Sequence, residues 1–313
     1  MSTNAAVATA VISARDRERG HMRRVMAGYF LFATLIVALA VHGFDYYTMD
    51  ATQRPFSPKH MALRPSGSIG AKLGFLGFAM FLVIFLYPLR KRWAWLQQQG
   101  SSKHWLDFHV MLGIVAPFVI AFHSSFKFRG FAGIAFWIML AVSASGIIGR
   151  YLYGQIPRNL NAAELSRKET QEIQQQLSQQ LAQQNLLPAA DLQTLLRLPS
   201  PERVERWPVV FALVYMFVLD LIRPFRIARI RRHALDVGEK FSTLGGLRAT
   251  RHRELEKAIA TAREEASLAK RILFLSRSQQ VFHLWHVVHK PFSYTFALLA
   301  IIHIVVVFMM GFF

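Results

Sequence analysis

Four histidines stand at intervals that can do chemistry. His109 and His123 lie fourteen residues apart in HWLDFHVMLGIVAPFVIAFHS (104–124), and His289 and His303 repeat the interval in HVVHKPFSYTFALLAIIH (286–303). On a helix, fourteen steps of about 100° end about 40° short of four turns, so both rings of a pair share one face, about 21 Å apart along the axis. His286 to His303 and His104 to His123 span seventeen and nineteen steps, each about 100° off that face. A single polar side chain bonded to a backbone carbonyl explains one such histidine. It does not explain the same register on two helices. Structural zinc takes four protein ligands and copper sites add sulfur. A haem takes two axial nitrogens, its macrocycle supplying the rest. The economical expectation is two b-type haems, with His109, His123, His289 and His303 as the iron ligands.

The segments that carry these rings are built for lipid. Of 313 residues, 53% are hydrophobic and 26 are Phe, which places the chain among polytopic membrane proteins. An ionisable side chain at membrane depth is a functional hypothesis by default. The net charge of +19 sits beside apolar runs, the pattern of cytoplasmic anchoring, so no nucleic-acid partner is expected. Cysteine is absent, which excludes disulfides, cysteine-held iron–sulfur clusters and haem attached through CxxCH.

Runs long enough to cross about 30 Å of hydrocarbon occur at 25–43, 68–88, 105–126, 131–149 and 281–312. The expected fold is all-α: a polytopic membrane helical bundle of five or six transmembrane helices with a cytoplasmic helical insertion. Its parts are a basic cytoplasmic tail (1–24), four spans within 25–150, the insertion (151–280) and a last span (281–313). The tail shows no cleavage site and is read as leading into a retained span. Arg15, Arg17, Arg19, Arg23 and Arg24 put the amino terminus inside a bacterial cytoplasmic membrane, and Arg90-Lys91-Arg92 then falls inside as well.

The run WPVVFALVYMFVLDLIRPF (207–225) is ambiguous. Residues 223–280 carry fourteen basic against six acidic side chains, so a crossing at 207–225 would place a strongly basic segment outside. The expectation is therefore an interfacial or re-entrant helix and five spans, with six as the alternative. Five spans make the third and last helices parallel, pairing His109 with His289 and His123 with His303; six would pair His109 with His303. Lys290 beside Pro291 favours the first pairing. In the insertion, Ser166-Arg167-Lys168-Glu169 reads as a capping box followed by Ile173, Leu177 and Leu181 at helical spacing. A second helix is expected over 247–278, running on toward the last span.

Paired histidines at this spacing on two helices resemble the dihaem membrane cytochromes b, a broad group that includes cytochrome b of quinol–cytochrome c reductases and the membrane cores of ferric reductases. The resemblance covers about 25–150 and 281–312 and implies transmembrane electron transfer, with or without quinone. Lys127 and Arg129 at the outer end, with Arg150 and Lys290 at the inner end, are candidate propionate partners. Gly113 and Ser143-Ala144-Ser145-Gly146 are small enough to admit a flat macrocycle or a close helix. No glycine-rich nucleotide fingerprint and no cysteine cluster appear, so the expected role is the electron-transfer subunit of an oxidoreductase complex. Its redox partner would be a flavin, iron–sulfur or cytochrome c protein. Two other classes remain open: a histidine-dependent proton or metal-ion transporter, and a membrane anchor or assembly subunit.

Overall fold

The computed structural model describes residues 2–156, 179, 197–233, 245–250 and 252–311. Among these the chain is all helix and turn, with no strand. It divides into two units, Met1–Arg150 with His286–Phe313, and Tyr151–Trp285. Among the described residues, five helices are long and apolar enough to cross a membrane: Asp16–His42, His60–Arg90, Ser102–His123, Gly130–Gln155 and Leu275–Met309. They fall on the five runs expected from hydropathy.

In the first unit, α1 (Ser2–His42) is followed by α2 (Phe44–Thr48) and a 3₁₀ turn (Arg54–Phe56). Short α3 (His60–Leu63) leads into α4 (Ser68–Arg90), and α5 (Ala94–Gln97) into α6 (Ser102–His123). Then comes α7 (Gly130–Gln155), and last the long α11 (Leu275–Met309); the unit boundaries at 150/151 and 285/286 fall within these two helices. α6 is the central rod. Its Val115, Ala116, Val119 and Phe122 form the core with Leu39, Leu73, Met80, Phe136 and Met139 from α1, α4 and α7.

The start and stop of α6 are local chemistry. Ser101 caps it, its side chain accepting the His104 N–H. It stops one residue after His123, where Ser125 (φ 50°) and Phe126 (φ 59°) take left-handed conformations. Each costs a non-glycine residue on the order of 1 kcal/mol. Buried hydrogen bonds offset that cost: the Ser125 hydroxyl donates to the Leu63 carbonyl at 2.6 Å, and Arg54 donates to the Ser125 carbonyl at 2.5 Å. Arg54 also donates to the carbonyls of Met49 and Tyr47. One buried guanidinium thus ties the loop after α1 to the end of α6.

The second unit contains α8 (Pro201–Arg206), α9 (Val209–His233) and α10 (Arg253–Leu273). The ambiguous run is one continuous helix, α9, and it is not among the five apolar spans. Ile227 and Ile230 of α9 pack on Ala258, Ile259, Ala262 and Ala266 of α10. Lys270 is buried, and its ammonium meets Asp220 at 2.5 Å, the carboxylate that also accepts from the Tyr151 hydroxyl at 2.8 Å. The expected 247–278 helix is shorter at its start and breaks at Phe274, buried between α10 and α11. The capping box at 166–169 and the residues Ile173, Leu177 and Leu181 lie outside the described residues.

Candidate functional site

Two prolines free carbonyls beside α6, and one of these carbonyls sets a histidine. A proline inside a helix has no N–H and strips the carbonyl four residues earlier of its partner. Pro88 of α4 strips Ile84, and the Ile84 carbonyl instead accepts from His109 Nδ1 at 2.9 Å. Pro117 of α6 strips Gly113, and the Gly113 carbonyl accepts from the Ser143 hydroxyl at 2.7 Å. At the far end His123 Nδ1 lies 2.8 Å from the Gly70 carbonyl. A carbonyl oxygen only accepts, so in both rings Nδ1 carries the proton and Nε2 the lone pair. That is the tautomer a metal-ligating imidazole adopts when its second nitrogen is anchored.

α11 repeats the device. The Ser145 hydroxyl donates to the Val142 carbonyl at 2.9 Å, and its oxygen lies 2.6 Å from His289 Nδ1, which donates to it. His289 is within electrostatic reach of His109, and His303 of His123. Rings of like depth are therefore near one another, as the pairing that five spans imply expects. Along α11, His289, Ser293, Phe296, Ala300, His303 and Val307 share one half-buried face. The most apolar stretch of this helix buries none of its residues within the chain, whereas the corresponding stretch of α6 is 44% buried.

Space near the rings is uneven. A Cβ on Gly74 would stand 2.7 Å from the His123 ring, so glycine is required for that ring to sit where it does. Gly113, on the His109–His123 face, has nothing within 4 Å of a Cβ position, and Gly146 has only the His289 ring at 3.8 Å. The chain therefore leaves space for at least a side-chain carbon at Gly113. Among the described residues no group of three or more His, Asp or Glu side chains gathers to hold a bare ion. Each pair of neighbouring rings offers two nitrogens, a set that completes an iron's coordination when a macrocycle brings the other four.

The charged candidates divide. Lys127 and Arg129 are exposed past the end of α6, and Lys290 is exposed one residue after His289. Burial, with Lys290 nearby, pulls the Lys91 ammonium below its ordinary value. Arg150 donates to Asp107 at 2.6 Å. Asp107 receives His21 on its other oxygen at 3.0 Å, and His21 stacks on His104 at 3.7 Å between centroids. This inner polar cluster escaped sequence reading because helical spacing relates residues of one helix, and His21 is 86 positions from Asp107. The proline-freed carbonyls were legible in principle: Pro88 stands four residues after Ile84.

Comparison with known protein families, curated proteins and solved structures finds no match for the chain.

Proposed function

We propose that this chain is a membrane-embedded electron-transfer subunit holding two b-type haems, one between His109 and His289 and one between His123 and His303. The observations that support the reading are the nearness of His289 to His109 and of His303 to His123, with Nδ1 of His109, His123 and His289 each committed to a fixed oxygen. Bound there, a haem would supply one-electron chemistry, and a pair about 21 Å apart along the helices would relay electrons between the two membrane faces. The chain's own part is to hold the rings in one tautomer, keep water out with the α6 core, and present basic side chains at both ends. Its redox partner is a separate protein or a quinone.

The test is a pyridine haemochrome spectrum with stoichiometry on the purified chain. The expected result is a b-type spectrum with about two haems per chain, falling to about one in His289→Ala. A folded, colourless chain overturns the proposal. Gly113→Phe adds a ring where the polypeptide leaves open space, so it should fold yet lose haem. Ion flux abolished by His289→Ala with absorbance intact would speak for histidine-dependent transport instead.

A further inference from the structure

The side of α4 that meets His109 does not end at Ile84. Ile84, whose carbonyl accepts from His109 Nδ1, is followed by Tyr87 and Lys91 at spacings of three and four. Lys91 still has helical backbone angles just past the last turn, so the three residues share one side of the helix. The Tyr87 ring centroid lies 5.1 Å from that of His109, and the Lys91 ammonium lies 5.1 Å from the Tyr87 centroid. The Lys91 charge is within electrostatic reach of the His109 ring. On α11, Lys290 follows His289, and its ammonium is within electrostatic reach of Lys91. Two helices thus bring two positive charges together beside one pair of rings.

Among the described residues, neither ammonium has a hydrogen bond or an ion pair. The Tyr87 face steadies Lys91 without neutralising it. Three other cations of the inner end are committed. Arg150 donates to Asp107 at 2.6 Å, Arg90 to the carbonyls of Gln97 and Gly100 at 2.8 Å each, and Lys103 pairs with Glu18. Lysines on flexible, strongly hydrated stems gain by splaying apart, because like charges at short range repel. Two that stay together at one site suit an anion that both can touch. A ligand seated between His109 and His289 with negative groups at its rim supplies one, and an iron porphyrin with carboxylate side chains fits that description. The sequence selects Arg150 for this task beside Lys290, and it shows Lys91 only as one of three inside anchors, Arg90-Lys91-Arg92.

We propose that Lys91 and Lys290 form a two-ammonium clamp for the carboxylates of the porphyrin held between His109 and His289, and that Arg150 takes no part in it. The clamp rests on the electron-transfer reading. It adds Lys91 to the inner site and makes that site selective for a carboxylate-bearing porphyrin.

A His303→Ala chain keeps the inner site alone. Its apo form, in a neutral detergent, is titrated with ferric protoporphyrin IX and with the dimethyl ester, which lacks both carboxylate charges; binding is read from the Soret band. The free acid should bind about tenfold tighter than the ester, and the difference should shrink with added salt. Lys91→Gln/Lys290→Gln should bring the acid down to the affinity of the ester and leave the ester unchanged. Lys91→Arg/Lys290→Arg should keep most of the preference, and Arg150→Gln all of it. Equal binding of acid and ester by the His303→Ala chain overturns the proposal, the result expected if the two lysines serve only lipid phosphates. So does a lysine double variant that weakens both porphyrins alike, or a preference lost in Arg150→Gln. A chain that takes up neither porphyrin fails one step earlier: it brings down the haem reading, and the clamp with it.

Discussion

The unit of design at the residue scale is an imidazole whose second nitrogen is spoken for. The fourteen-residue interval was readable from the chain alone, because it depends only on helical periodicity. The acceptors were not, because Ile84, Gly70 and Ser145 reach the rings from other helices. Those acceptors make the sharpest residue-level expectation. Ser145→Ala deletes the oxygen opposite His289 Nδ1, and loss of such an anchor typically costs 10–100-fold in metal affinity. Titrating haem into the apo-protein should show one of two sites weakened by about that factor. Pro88→Ala acts by another route. It restores an N–H able to reclaim the Ile84 carbonyl, so His109 should lose orientation and the same inner site should broaden in its low-spin electron paramagnetic resonance signal. An unchanged signal in both variants would mean that the anchors do not hold a ligand.

Helices show where sequence reading succeeds and where it stops. All five apolar runs became helices, because length and hydropathy are local properties. The break at Phe274 was hidden, since burial of that ring against α9 residues far along the chain sets it. The Arg54 clamp was hidden for the same reason: residue 54 meets residue 125. Removing it takes a donor from three carbonyls, that of Ser125 in a buried contact. Arg54→Ala should cost about 3 kcal/mol, seen as a fall of several degrees in thermal unfolding in detergent. In the second unit, Arg231 grips Glu256 through both carboxylate oxygens at 2.9 and 2.7 Å. Burial would raise this carboxyl, but the Arg231 and Thr250 hydrogen bonds outweigh it and hold the group below its ordinary 4.5. A depressed folded value means the pair stabilises the α9–α10 contact above that pH and releases it as pH falls through the lower value. Amide protection factors in α10, corrected for intrinsic exchange at each pH, should therefore stay flat from neutrality down to about pH 5 and fall in stronger acid. Arg231→Gln should remove most of that acid dependence.

For the whole molecule, the decisive quantity is the parity of crossings, because it fixes whether α6 and α11 run the same way. His289 lies within electrostatic reach of His109 and His303 of His123, which fits parallel helices. Parallel α6 and α11 require α9 not to cross. Charge alone left that choice open, because the positive-inside bias weakens over long loops. The packing of α9 adds a physical reason: a full crossing would carry Asp220, Lys270 and the α10 face toward hydrocarbon, where charged groups are costly. Labelling from outside the membrane separates the two topologies without reference to any cofactor. Single cysteines at exposed Gln53, Gln98, Glu254 and Met310 sample four connections of this cysteine-free chain. With five spans and the amino terminus inside, an impermeant maleimide should modify Gln53→Cys and Met310→Cys in intact cells, and Gln98→Cys and Glu254→Cys only after lysis. A sixth crossing at α9 would exchange Met310 and Glu254 and leave the other two unchanged. That exchange would turn α11 over, bring His303 to the depth of His109, and remove the pairing on which the two-haem arrangement rests.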